Sequence, residues 1–78
     1  MTISEIKETL TKFDSVSFKL YSLIYIIEKN IDGTYSIYPT SMPKSKRYYR
    51  TLDELLTKYR IFGENIIQNE DRIRKINN

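Results

Sequence analysis

Two hydrophobic rhythms alternate along this chain. Ile3, Ile6, Leu10 and Phe13 recur at helical steps, marking one face of a helix, while Lys7, Glu8, Thr11 and Lys12 fall on the other side. Thr2 with Glu5 has the form of a capping box, so a helix is predicted over about 3–13. Leu52, Leu55, Leu56 and Tyr59 repeat the pattern behind a second Thr–Glu pair, Thr51 and Glu54. They predict a helix over about 52–60, with Gly63 suited to a stop just beyond it.

Between these helices the period shortens. Ser17 to Lys29 is the most apolar and most β-prone run of the chain. The even positions Val16, Phe18, Leu20, Ile24 and Ile26 are apolar, and Tyr21, Leu23, Tyr25 and Ile27 are apolar as well. Three readings fit. One is a long strand buried on both faces. Another is a strand with a bulge near Ser22 that exchanges its faces. The third is a helix over about 18–29, since Leu20, Leu23, Ile24 and Ile27 also suit a 3.6-residue period. The β-branched and aromatic content favours strand. Asn30-Ile31-Asp32-Gly33 then predicts a turn, because glycine accepts positive φ at no steric cost. Thr34 to Tyr38 is expected to return as the partner strand, ended by Pro39. Thr40 to Ser45 reads as a loop. Lys46 to Arg50 reads as a short third strand at a sheet edge, where charge discourages further pairing. Ile66, Ile67, Ile73 and Ile76, set among charges, suggest a second C-terminal helix within 64–78, or a tail that frays at Asn77 and Asn78.

The expected architecture is therefore a small α+β domain over 1–78 in the order α-β-β-(β)-α-(α). Its antiparallel sheet has two or three strands, with helices packed on one face. A chain this short supplies a single core worth a few kcal/mol of net stability, with little room for a deep pocket as well.

Composition narrows the chemistry. There is no Cys and no His among the 78 residues, which removes disulfides, thiolate metal sites, thiol nucleophiles and the commonest general base. The only glycines are Gly33 and Gly63, so no phosphate-binding glycine loop exists. Asp53 and Glu54 suit the first turn of a helix for dipole reasons alone. Neither catalysis, nor a metal, nor a cofactor is expected. No apolar run is long enough to span a membrane, and the polar opening from Thr2 to Glu8 lacks the pattern of a signal peptide. A cytoplasmic location is expected. Ile, Lys, Asn and Tyr, all with AT-rich codons, dominate the composition, and Ala is absent. This suggests an AT-rich source such as a low-GC bacterium or its phage.

The net charge is +3, and it is unevenly spread. Lys44, Lys46, Arg47 and Arg50 lie in a stretch with no acid, interleaved with Tyr48 and Tyr49. Cations beside aromatics are a candidate nucleic-acid contact. Four phosphate contacts give a salt slope of at most about −3.6, or roughly a 150-fold loss between 50 and 200 mM salt, so this stretch alone would bind weakly. The chain also has seven Tyr and three Phe. Tyr21, Tyr25, Tyr35 and Tyr38 form a candidate aromatic interface, Tyr21 and Tyr25 being expected to share a face. Ile66, Ile73 and Ile76 are a candidate homodimer seam or partner-binding stripe.

Residues 27–38 followed by 51–59 resemble, loosely, the central hairpin and second helix of SH2 domains. The resemblance covers under half of the chain, lacks that family's phosphotyrosine-binding arginine strand before Tyr21, and carries no residue roles over. The functional expectation is a non-enzymatic protein-binding module that regulates or inhibits a larger protein or protein–nucleic acid complex. A phage or mobile-element product acting against a host defence enzyme would fit this description. The alternative is a small nucleic-acid-binding protein using 44–50.

Overall fold

The computed structural model describes residues 1–76. Helix α1 (Ile3–Phe13) begins at the predicted capping box: the Thr2 side chain accepts from the Glu5 N–H at 3.1 Å, and the Glu5 carboxylate accepts from the Thr2 N–H at 2.9 Å. It ends where Asp14 turns left-handed at φ 60°, a conformation Asp tolerates better than most residues. The chain passes at once into β1 (Ser15–Leu20) and then β2 (Leu23–Lys29).

The long run expected to be one strand is thus two. Leu20 pairs with Leu23, so Tyr21 and Ser22 form a two-residue hairpin loop, and Tyr21 takes a positive φ of 57°. Neither the unbroken strand nor the 18–29 helix forms. The bulge reading was right that the faces exchange at Ser22, but the device is a full reversal. Val16, Phe18 and Leu20 face the core on β1, and Tyr25 and Ile27 face it on β2. Ile24 and Ile26 point the other way.

The Asp32-Gly33 turn forms as predicted, with Gly33 at φ 89°. Asp32 stabilises it by accepting from the Thr34 hydroxyl at 2.6 Å and the Thr34 N–H at 2.9 Å. Strand β3 (Tyr35–Pro39) returns from it and pairs with β2. After a single 3-10 turn at Pro43–Ser45, β4 (Arg47–Tyr49) forms the edge strand.

Helix α2 (Leu52–Lys58) is capped by the Thr51 side chain, which accepts from the Glu54 N–H at 3.1 Å. The Glu54 carboxylate makes no return bond and instead lies 3.8 Å from Lys58 one turn on. The helix stops before the predicted residue 60, because Tyr59 is extended and leads into β5 (Arg60–Ile61), which pairs with β6 (Glu64–Asn65). Gly63 belongs to that ribbon's turn, with Phe62 at φ 51° and Gly63 at φ 84°, the positive-φ pair typical of two-residue hairpins.

Among the described residues no second C-terminal α-helix follows. Asn65 and Gln68 exchange backbone-to-side-chain hydrogen bonds of 2.8 Å each, which fold the segment into turns. A 3-10 turn at Glu70–Arg72 leads to β7 (Arg74–Lys75), which pairs with β1. The expected fraying of Asn77 and Asn78 falls outside the described residues. The tail also finishes α2: the Ile66 N–H donates to the Leu56 carbonyl at 3.1 Å and Asn65 Nδ2 to the Thr57 carbonyl at 3.2 Å, filling acceptors that a helix end leaves open.

The sheet has five antiparallel strands in the order β4-β3-β2-β1-β7, beside the two-stranded β5-β6 ribbon. The α+β class with helices on one face stands. The larger strand count comes from the Tyr21-Ser22 reversal and from the tail. The core joins Ile6 and Leu10 of α1 and Leu55 and Leu56 of α2 to the inward residues of the sheet, with Ile61, Ile66 and Ile73 closing it. Ile66 and Ile73, expected on a dimer seam, are spent in this core. Among the described residues, no helix is long and apolar enough to cross a membrane.

Candidate functional site: the open face of the sheet

Strand alternation and the pairing registers place three rows of side chains on the sheet face away from the helices. The first row runs Ser15, Glu28, Ser36, Tyr48. The second runs Ser17, Ile26, Tyr38, with Lys46 just before β4 beside Tyr38. The third runs Arg74, Lys19, Ile24, and Thr40 closes it by donating its N–H to the Ile24 carbonyl at 2.8 Å. Ile24 is 40% and Tyr48 64% exposed, and neither Ile26 nor Tyr38 touches the core cluster.

One corner of this face is already organised. The Lys46 ammonium lies 3.1 Å from a Glu28 carboxylate oxygen and 4.8 Å from the centre of the Tyr38 ring. Its hydrogen bond to Glu28 raises the Lys46 pKa above the usual lysine range, against a smaller opposing effect of desolvation. Beneath this group Ser36 is fully buried, and its hydroxyl has no hydrogen-bond partner. Lys19 and Arg74 form no ion pair among the described residues and sit side by side on paired strands.

The basic-aromatic stretch expected to act as a unit is divided by the pleat. Lys46 and Tyr48 face the open side. Arg47 and Tyr49 are in register with Ile37 and Tyr35 on the helix side, and Tyr49 packs against the core. Lys44 lies exposed in the 3-10 turn, and Arg50 lies exposed between β4 and α2.

The four tyrosines of the candidate aromatic interface do not form one surface. Tyr25 is buried, stacked on Phe18 at 5.8 Å and edge-on to Tyr59 at 6.4 Å. Burial raises its pKa and that of Tyr59 above the usual phenol range. Tyr35 is half-buried against the core. Tyr38 alone belongs to the open face. Tyr21 does not share a face with Tyr25. It sits in the hairpin loop, edge-on to Phe62 at 5.1 Å, and its hydroxyl donates to Asn69 Oδ1 at 3.1 Å. Asn69 is fully buried and donates in turn to the Asn65 carbonyl at 2.9 Å, so it pins the first hairpin to the tail.

Lys19, Ile24, Ile26 and Arg74 were missed as site residues. The signal for Ile24 and Ile26 was the doubled apolar pattern of 16–27, which leaves one set without a core position once the chain reverses. Among the described residues, no three carboxylates converge on a point where a metal ion would sit. No protein-family model, no curated protein and no solved structure matches the chain.

Proposed function

We propose that this chain is a non-enzymatic protein-binding module that acts in the cytoplasm, regulating or inhibiting a larger protein through the open face of its sheet. The observation carrying this reading is that Ile24, Ile26 and Tyr38 lie in adjacent rows on a sheet face that neither helix covers. Antiparallel sheets tolerate one solvated face, but they normally fill it with polar residues. Apolar side chains grouped with tyrosines in such a place mark an interaction surface. Tyrosine adds rigid contact area at low entropic cost.

A base-stacking platform receives less support. The Lys46 ammonium lies over the Tyr38 ring and is itself held by Glu28, and the middle of the face is aliphatic.

The test is affinity capture from a low-GC bacterial extract with the wild type and an Ile24→Asp/Ile26→Asp variant, each checked by circular dichroism. A stoichiometric protein recovered by the wild type and lost from the folded variant is the expected result. Equal recovery by both, or nucleic acid as the retained species, contradicts the proposal.

A further inference from the structure

We infer that the occupant of the open face is a short acidic, apolar-anchored protein segment, laid across the strands with its carboxylates over Lys19 and Arg74. This rests on the protein-binding reading and adds the chemistry and size of the partner.

The distribution of charge carries the inference. Across the strand order β7-β1-β2-β3-β4 the face changes character in a fixed sequence. Cations stand on β7 and β1 (Arg74, Lys19), aliphatics on β2 (Ile24, Ile26), and tyrosines on β3 and β4 (Tyr38, Tyr48). The third row alone presents Arg74, Lys19 and Ile24 side by side. Glu28 is the only carboxylate in the three rows, and it is engaged with Lys46. Among the described residues the two cations therefore have no free counter-charge on their own face, and an incoming carboxylate would supply it.

Size and charge argue against a second copy as the occupant. Four inter-strand spacings of about 4.8 Å give a face about 19 Å wide. With three rows of side chains it offers roughly 300–400 Å², about half of the ~800 Å² per partner in a stable interface. Two copies face to face would also leave Lys19 and Arg74 without a carboxylate, since Glu28, the acid in the three rows, is engaged with Lys46. A width of about 19 Å matches about 13 residues of helix or about six of extended chain. A single-stranded nucleic acid would find the same two cations. Beyond them it would meet isoleucines, which offer no ring for a base to stack on.

Selection from a display library of random peptides about 15 residues long, with the purified protein as bait, tests this directly. The expected outcome is an enriched set that is net acidic with aliphatic or aromatic anchors. Binding should weaken about tenfold or more in the Lys19→Glu/Arg74→Glu variant and fall as salt is raised. It should also be lost in Ile24→Asp/Ile26→Asp. Enriched peptides without acidic bias, or acidic peptides indifferent to Lys19→Glu/Arg74→Glu, would overturn the acidic occupant. If those peptides still require Ile24 and Ile26, the broader protein-binding reading survives; if they ignore both pairs, it falls as well. An oligo-dT or oligo-U probe that binds more tightly than any selected peptide, in a manner dependent on Lys19 and Arg74, would replace the protein segment with a nucleic acid.

Discussion

On the helix side of the sheet, Val16, Phe18, Tyr25, Ile27 and Ile37 are nearly or fully removed from water. Alternating with them on the same strands, Ser17, Lys19, Ile24, Ile26 and Tyr38 face outward. The two faces share a backbone and differ in what lies over them. The inner face is covered by α1, α2 and the tail, and its side chains account for the fold. Neither helix covers the outer face, yet it holds two isoleucines and two tyrosines that stand outside the core cluster. Apolar surface that folding leaves uncovered is free to stabilise an association instead.

This contrast predicts opposite responses to truncation. Phe18→Ala should cost about 3–5 kcal/mol, a large share of the stability of so short a chain, and leave it mostly unfolded in urea titrations at low denaturant. Ile26→Ala, on the outer face of the neighbouring strand, should cost about 1 kcal/mol or less. Equal losses at the two sites would mean that the outer face is structural after all.

The next largest effect concerns the device that assigns the faces. Asn69 holds the Tyr21 loop and the tail carbonyls together. Asn69→Ala leaves buried polar groups without partners and should destabilise by about 1–3 kcal/mol. Hydrogen exchange should show the loss concentrated around the first hairpin and the 64–73 segment.

A smaller effect of opposite sign is expected at Ser36. Its hydroxyl is buried and unpartnered, so Ser36→Ala should stabilise by up to about 1 kcal/mol, seen as a raised urea midpoint.

The smallest effect is in alkali. Burial raises the pKa of Tyr25 and Tyr59 in the folded state. Their contribution to stability is therefore complete below the unfolded value of about 10 and declines as pH rises through the folded values. Tyr59→Phe should flatten that decline in pH-dependent denaturation.

Much of the frame could be read from residue patterns because local chemistry and global fold agree there. The Thr2–Glu5 box, the Leu52-Leu55-Leu56 stripe, Asp32-Gly33 and the charged edge strand each state their own structure. The reversal at Tyr21-Ser22 could not be read. Its first residue occupies a positive φ that hairpins usually give to glycine or asparagine, and Tyr gives no such warning. Its support is tertiary, from Phe62 and Asn69, both more than 40 residues away in sequence. The tail misled for a related reason. Ile66 and Ile73 lie a helical distance apart, but the Asn65, Gln68 and Asn69 side chains satisfy the backbone in turns instead. The site is hidden for the same reason: without the reversal, the doubled apolar pattern of 16–27 admits a strand buried on both faces, and the basic run at 44–50 reads as one surface. Once the pleat is laid out, Lys46 and Tyr48 join the isoleucines, while Arg47 and Tyr49 leave for the other side.

The most direct measurement is an amide chemical-shift map of the isotopically labelled protein, titrated with a peptide selected for binding. Perturbations are expected to concentrate at Lys19, Ile24, Ile26, Tyr38, Tyr48 and Arg74, with the Tyr21–Phe62 corner and the outer surface of α1 unmoved. Shifts confined to that corner or to the helices, with the sheet face silent, would contradict this expectation.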